Sequence, residues 1–294
     1  MRVESVTSAQ NRKIKTLLAL QEKARLRKEM GLFVVEGRRE LEHCISAGFE
    51  IDTLFFCPEI VGLAVGHSSA IRYGAHTCDA DPTRVKATEC PLPDRQTNVL
   101  EKAGQIVEVP RELYEKIAYR GGTEGMIAEV KVKERSLEGL EMRDNPLVVV
   151  LEGVEKPGNL GAVLRSADAA GADAVLVCDP LTDLYNPNLI RASIGAVFTV
   201  PVACCSSGEA IAWLKDNRIK IYTAQLQDSS WYYDTDMRGG TAIVIGTEAT
   251  GLTDAWREAA DAHIRIPMLG ELDSLNASVS AAILLFEAVR QRNA

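Results

Sequence analysis

The sequence predicts an α/β protein in two parts: a smaller N-terminal α/β unit, then a parallel sheet with helices on both faces. Three observations predict it. Strand-length apolar runs alternate with helix-length runs along both halves of the chain. The runs of the second half, such as 147–151 and 174–178, are near-continuous, as in strands covered on both faces. A charged stretch, 133–145, closes on Asp144-Asn145-Pro146 and separates the two parts. The expected domains are residues 1–140, led by a basic helix, and residues 147–294.

Taken in order, residues 8–29 read as one helix, capped by Ser8 and carrying Ile14, Leu17, Leu18 and Leu20 as its apolar stripe. Residues 32–35 are a short strand, and Glu36-Gly37 turns the chain into a helix through Leu41, Cys44 and Ile45, closed by Gly48. Residues 51–56 are a strand. Residues 58–105 carry no clear period, and 87–98 reads as a long loop containing Pro91 and Pro93. Residues 107–109 form a strand, 111–118 a helix, and the glycine-rich 121–125 leads into a strand over 126–132. In the second half the expected strands are 147–154, 174–178, 199–203, 219–224, 242–247 and 263–268. The expected helices are 160–170, 188–196, 209–217, 253–260 and a long last one, 274–292.

Composition narrows the function. The chain has 294 residues, 46% hydrophobic and 25% charged, which excludes a disordered or collagen-like protein. No apolar run approaches the roughly 18 residues of a membrane span. Met1 to Ser5 opens no secretory apolar segment, so neither export nor membrane insertion is expected. Seven cysteines, none in a C-x-x-C pair, fit a reducing cytoplasm better than a disulfide framework. Cys44, Cys57, Cys78 and Cys90 fall near His43, His67 and His76, but in no standard zinc spacing, and no metal is expected. The net charge of −8 hides an asymmetry: residues 1–30 carry +5 and the remainder −13. The basic leading segment is either a phosphate-contacting arm or a solvated helix face. A P-loop, a G-x-G-x-x-G fingerprint and a G-x-S-x-G elbow are all missing from the sequence. His263, the one histidine of the second half, opens a strand and reads as structural.

Ligands of open α/β sheets bind beyond the carboxyl ends of the strands. Three of the expected strands end in loops rich in glycine, proline and small polar residues. They are Glu155-Lys156-Pro157-Gly158-Asn159-Leu160-Gly161, Gly246-Thr247-Glu248-Ala249-Thr250-Gly251-Leu252, and Pro267 through Asn276. Three such loops in one domain point to a built pocket.

These loops also carry a resemblance. Lys156-Pro157-Gly158-Asn159-Leu160-Gly161 with Arg165, the 246–252 loop, and Ile266-Pro267-Met268 through Ser274-Leu275-Asn276 resemble, in order, the three signatures of the SpoU (TrmH-type) RNA 2'-O-ribose methyltransferases. Lys156 and Ala249 stand where that family more often has Asn and Gly. The N-terminal part is similar to the family's ribosomal-protein-like substrate-binding domain, through Thr7-Ser8-Ala9-Gln10-Asn11, Phe33-Val34-Val35-Glu36-Gly37 and Thr123 to Ala128.

The resemblance implies a SPOUT-type parallel sheet with a deep trefoil knot, an active homodimer and S-adenosylmethionine as methyl donor. It implies that Gly246, Ile266, Met268, Ser274 and Leu275 hold the cofactor, with 224–226 as a weaker candidate. Arg165, Asn159, Asn276 and Glu248 are the implied catalytic group. A guanidinium is hard to deprotonate and so a poor base, and phosphate binding and alkoxide stabilisation suit Arg165 better. The appended domain favours ribosomal RNA, with Arg12, Lys13, Lys15, Arg38 and Arg39 as contact candidates. The alternatives are a transfer RNA 2'-O-methyltransferase and a non-catalytic RNA-binding or ribosome-assembly factor on the same fold.

Overall fold

In the first unit, short apolar strands find partners far away in sequence. The computed structural model describes residues 2–62, 99–119, 124–247, 250–271 and 274–294, and divides into Met1–Lys133 and Glu134–Ala294. The first unit's strands β1 (Arg2–Ser5), β2 (Leu32–Glu36), β3 (Ile51–Phe56), β4 (Ala103–Glu108) and β5 (Met126–Lys131) pair in the order β1-β4-β3-β5-β2. β1, β4 and β3 are parallel, whereas β5 is antiparallel to both β3 and β2. Helices α1 (Arg12–Glu22), α2 (Ala24–Met30), α3 (Arg38–Ser46), α4 (Pro58–Val61) and α5 (Arg111–Ile117) accompany them. Ile14, Leu17 and Leu20 of α1 join Leu113, Tyr114 and Ile117 of α5 over Val34, Phe55, Val107 and Ile127 of the sheet.

The expected single helix over 8–29 is two. Asn11, not Ser8, caps α1, its side chain accepting from the Lys13 N–H. The chain extends at Lys23, and the buried Arg27 guanidinium donates to the carbonyls of Leu20 at 2.6 Å and Gln21 at 3.2 Å. The break gives the last carbonyls of α1 a charged donor, and it commits one of the leading cations to the interior. β1 was not expected, because four polar-flanked residues carry no period; it forms by pairing with β4. The expected loop at 87–98 lies outside the described residues, as do 120–123.

Glu129 of β5 is buried, and its Oε1 has no hydrogen-bond partner. Burial, then the charge of Asp52, pushes its carboxyl from the usual 4.5 up to about 7, against the pull of Lys13. Between those values the folded chain binds the proton more tightly than the unfolded one. Stability contributed by Glu129 therefore falls as pH rises through that window, and the loss is complete above it. Glu129→Gln removes the penalty. The variant is expected to exceed the wild type by up to about 3 kcal/mol at pH 8 and to match it near pH 4. Urea unfolding followed by circular dichroism at both pH values measures this; an equal gain at both would assign the effect to packing.

The second unit carries β6 (Leu147–Glu152), β7 (Ala174–Cys178), β8 (Val202–Cys205), β9 (Lys220–Ala224), β10 (Ser230–Trp231), β11 (Thr241–Ile245) and β12 (Ala262–Arg265). All seven are parallel, in the order β10-β12-β9-β11-β6-β7-β8. Its helices are α6 (Pro157–Ala170), α7 (Pro187–Ser193), α8 (Ala196–Thr199), α9 (Ser207–Asp216), α10 (Asp254–Ala259) and α11 (Ala277–Arg292). Leu214 of α9 and Trp256 of α10 pack on Val148, Val150, Leu176, Ile221 and Val244, while α6 packs on α7 and α11.

The unit begins earlier than the expected 147. Leu137, Leu140 and Met142 pack onto its core, and Arg143 clasps Asp173, which also accepts from the Leu147 N–H at 2.7 Å. Element boundaries also moved, three of them at the site or for a clear local reason. Residues expected at the start of a 199–203 strand finish α8, and β8 begins only after Pro201, which lacks the N–H a ladder needs. β12 stops before Pro267, so Ile266 and Met268 leave the sheet. α11 starts at Ala277 because the Asn276 side chain caps it, accepting from the Ser278 N–H. Among the described residues no helix is long and apolar enough to cross a membrane.

Candidate active site

Because every strand of the second sheet runs the same way, the segments after β6, β9, β11 and β12 emerge at one end. Those after β9, β11 and β12 enclose a cavity of about 560 Å³. All five expected cofactor residues, Gly246, Ile266, Met268, Ser274 and Leu275, line it, and so do Asn276 and residues 224–226. Gly246 is the crossing point. The following turn is closed by Thr247 N–H to the Gly251 carbonyl at 3.2 Å and Gly251 N–H back to Thr247 at 3.1 Å. A Cβ at 246 would lie 2.3 Å from the Gly251 carbonyl carbon, so only glycine fits there.

A smaller cavity of about 110 Å³ adjoins it, sharing Gly246, Thr247 and Ala277 and adding Glu152, Lys156 and Asn159. Here the first and third loops meet: Asn276 Nδ2 donates to Asn159 Oδ1 at 3.1 Å. The same Asn276 caps α11, so the helix end and the asparagine pair are fixed together. Arg165 is not brought into this group. It is exposed on α6 and lines neither cavity. Val163 lines the smaller one, and Arg165 follows it by 200° around the helix, on the far side. Glu248 lies outside the described residues.

Sequence reasoning missed Glu152 and Arg265, and placed Gln225 only within the weaker candidate 224–226. Glu152 ends β6, is buried, and accepts from Thr253 N–H at 2.9 Å, Thr253 Oγ1 at 2.7 Å and Ser207 Oγ at 3.2 Å. It ties the far end of the 246–253 loop to the central strands. A lone acid closing the apolar run Leu147-Val148-Val149-Val150-Leu151 was its only signal. His263 is structural as expected, its Nδ1 lying 2.6 Å from the Thr223 hydroxyl of the neighbouring strand.

In the first unit, Arg12, Lys15 and Arg39 are exposed. Lys13 is half-buried in an ion pair with Glu4 at 2.7 Å, and Arg38 pairs with Glu42 at 3.4 Å. Cys44 and Cys57 are buried there, whereas Cys78, Cys90, His67 and His76 lie outside the described residues.

The larger cavity fits a nucleoside cofactor. Its volume is within the usual range for small-molecule sites. Ile245, Leu252, Ile264 and Leu284 give it apolar walls, and Ser274, Ser280 and Thr247 give it hydroxyls. Two polar atoms of its lining residues, Gln225 Oε1 and Arg265 Nε, are buried without a hydrogen-bond partner. Buried polar atoms are ordinarily satisfied, so this wall is built for a polar ligand.

Comparison with known proteins agrees with this geometry. The SpoU rRNA Methylase family pattern matches residues 146–286, and that of the MRM3-like substrate binding domain matches 11–128. A 23S rRNA (guanosine-2'-O-)-methyltransferase RlmB of Vibrio cholerae is 34% identical over 77% of this chain and 99% of its own length. A 23S rRNA (uridine(2479)-2'-O)-methyltransferase of Streptomyces viridochromogenes is 36% identical over 57% of the chain, which spans 60% of that relative. The crystal structure of an AdoMet-bound rRNA methyltransferase from Sinorhizobium meliloti superposes with a TM-score of 0.80 at 26% identity, over 98% of each chain.

Proposed function

Because this chain belongs to the SpoU rRNA methylase family, we propose that it methylates a ribose 2'-hydroxyl of ribosomal RNA, using S-adenosylmethionine. The observation that carries the reading is the cavity at the strand ends, walled by the loops after β11 and β12, with the Asn159–Asn276 pair at its edge. S-Adenosylmethionine supplies a methyl group already activated on a sulfonium. What remains for the protein is to place one hydroxyl in line, exclude water and ease the loss of its proton.

Ile266, Met268 and Leu275 hold the cofactor in an apolar wall, with Gly246 and Ser274 offering backbone and hydroxyl contacts. Asn159 and Asn276 fix the acceptor ribose beside it, in the smaller cavity. Arg165, on the exposed side of α6 and away from its own chain's cavities, acts across the dimer interface on the RNA phosphate and the developing alkoxide in the site of the second copy. Of the five candidates in the first unit, the exposed Arg12, Lys15 and Arg39 are placed to meet RNA phosphates. Lys13 and Arg38, already ion-paired with carboxylates, contribute less.

The working unit is a homodimer. Val279 and Phe286, one face of α11, are 46% and 47% exposed, an apolar stripe that a second copy would cover. A C-terminal segment threaded as a trefoil knot accounts for Ile266, Met268 and Leu275 sharing one cavity with Gly246, Thr247 and Gly251. A cytoplasmic location suits an enzyme acting on ribosomal RNA.

The test is methyl transfer from labelled S-adenosylmethionine to purified ribosomal RNA, with 2'-O-methyl mapping in cells that have or lack the protein. One mapped nucleotide losing its methyl group is expected. Transfer to transfer RNA alone, or cofactor binding with no transfer, would replace the reading with one of the two alternatives. Sedimentation equilibrium of the same preparation should read the mass of a dimer.

A further inference from the structure

Three residues that no signature includes stand in one row across the ends of three strands. Trp231 of β10 is in register with Arg265 of β12. Ala224 of β9 is in register with Ile264, and Gln225 continues the ladder by donating its N–H to the Ile264 carbonyl at 3.0 Å. Arg265 and Gln225 line the large cavity, and the Arg265 guanidinium lies 4.2 Å from the centre of the Trp231 indole.

The electrostatics of this row are incomplete. Among the described residues, no carboxylate lies within ion-pair distance of Arg265, and its Nε has no hydrogen-bond partner. Arg257, the other guanidinium of the lining, is paired with Asp254 at 3.5 Å. Among the described lining residues there is no Asp or Glu. A half-buried guanidinium without a counter-ion is costly, and it is held rather than released because it stacks on an indole. Beside it, Gln225 Nε2 donates to the Gln227 carbonyl at 2.9 Å. That bond fixes the amide and leaves Oε1 as a buried acceptor with no donor.

One unmet cationic donor and one unmet acceptor, side by side, complement a group that carries an anion and an N–H donor together. An α-amino acid is such a group. Resting on the proposed cofactor, we infer that Arg265 and Gln225 form the subsite for its methionyl end, Arg265 taking the carboxylate and Gln225 Oε1 the ammonium, with Trp231 bracing Arg265 from outside. The subsite is separate from the three signature loops. It lets the protein distinguish an intact amino-acid end from a trimmed one.

The test compares S-adenosylmethionine with its decarboxylated form, which keeps the adenosine, the sulfonium and the amine. Binding of each to the full-length protein is measured by calorimetry. The wild type is expected to prefer the intact cofactor by about tenfold or more, as a charge-assisted hydrogen bond implies. Arg265→Met is expected to bind the two forms equally and to bind the decarboxylated form as the wild type does. Arg265→Lys, which keeps the charge, should restore part of the preference. A wild type that binds both forms alike overturns the inference, whatever the variants do. So does a preference that survives in Arg265→Met. Loss of RNA binding in that variant with the preference intact would overturn it in favour of a base-stacking platform on Trp231, whose ring stacks on that of Tyr233 with centroids 6.3 Å apart. A wild type that binds neither form would defeat the functional reading itself, a result distinct from the others.

Discussion

Replacing Arg165 with alanine is expected to slow methyl transfer by about 10²–10³-fold, the cost of removing one donor to a developing oxyanion, while cofactor affinity stays within about two-fold. Placement makes the two halves of this result separable. Arg165 lines neither cavity, is exposed, and has no hydrogen-bond or ion-pair partner among the described residues. Its removal therefore leaves the walls of the cofactor site and the packing of α6 in place. A guanidinium offers a rigid fork of donors and is a poor base, so its part is to stabilise charge, not to abstract the proton. Arg165→Lys keeps a charge but loses the fork, and should fall between the two. Single-turnover transfer at saturating cofactor, with calorimetry on the same variants, reads both quantities. Turnover in Arg165→Ala close to wild type would remove this residue from the chemistry.

The parallel sheet was legible because β6, β7 and β11 each carry an unbroken apolar run, a pattern that burial on both faces requires. The loops that build the cavity were legible for a related reason: glycine and proline mark where a strand must stop. Pro267 ends β12, and the residues after it become wall. What stayed hidden depends on partners distant in sequence. The break at Lys23 is held by Arg27 reaching back to α1, and a basic residue in a basic run gives no sign of that. Glu152 acquires its role from Thr253, 101 positions away. Gln225 and Arg265 become neighbours only through the strand order, which places β12 beside β9. Arg165 was grouped with Asn159 through a resemblance of sequence, and the residues between them turn it around α6 to a side that lines neither cavity.

Gly246→Ala tests the loop crossing on which the cavity depends. The added methyl would meet backbone on every near side: the Gly251 carbonyl carbon at 2.3 Å, its oxygen at 2.4 Å and the Leu252 nitrogen at 2.6 Å. No side chain can swing aside to relieve these contacts, so the 247–252 turn has to move. Its opposite end is anchored, because Glu152 holds Thr253 through both its N–H and its hydroxyl. Displacement therefore falls on Gly246 and Thr247, which both cavities share. Forcing backbone apart in a packed site costs about 1–3 kcal/mol, so cofactor affinity is expected to fall about 10- to 100-fold, with a lower melting temperature. Gly158→Ala is the matched control. It lies in α6, a Cβ there would meet nothing within 4 Å, and its φ is not in the left-handed region. Alanine at 158 should bind cofactor as the wild type does and leave stability unchanged or slightly raised. Calorimetry and thermal unfolding on the pair separate the crossing from the general effect of an added methyl group. If Gly246→Ala bound the cofactor normally, the ligand would have to lie elsewhere than in the hollow between the loops after β11 and β12.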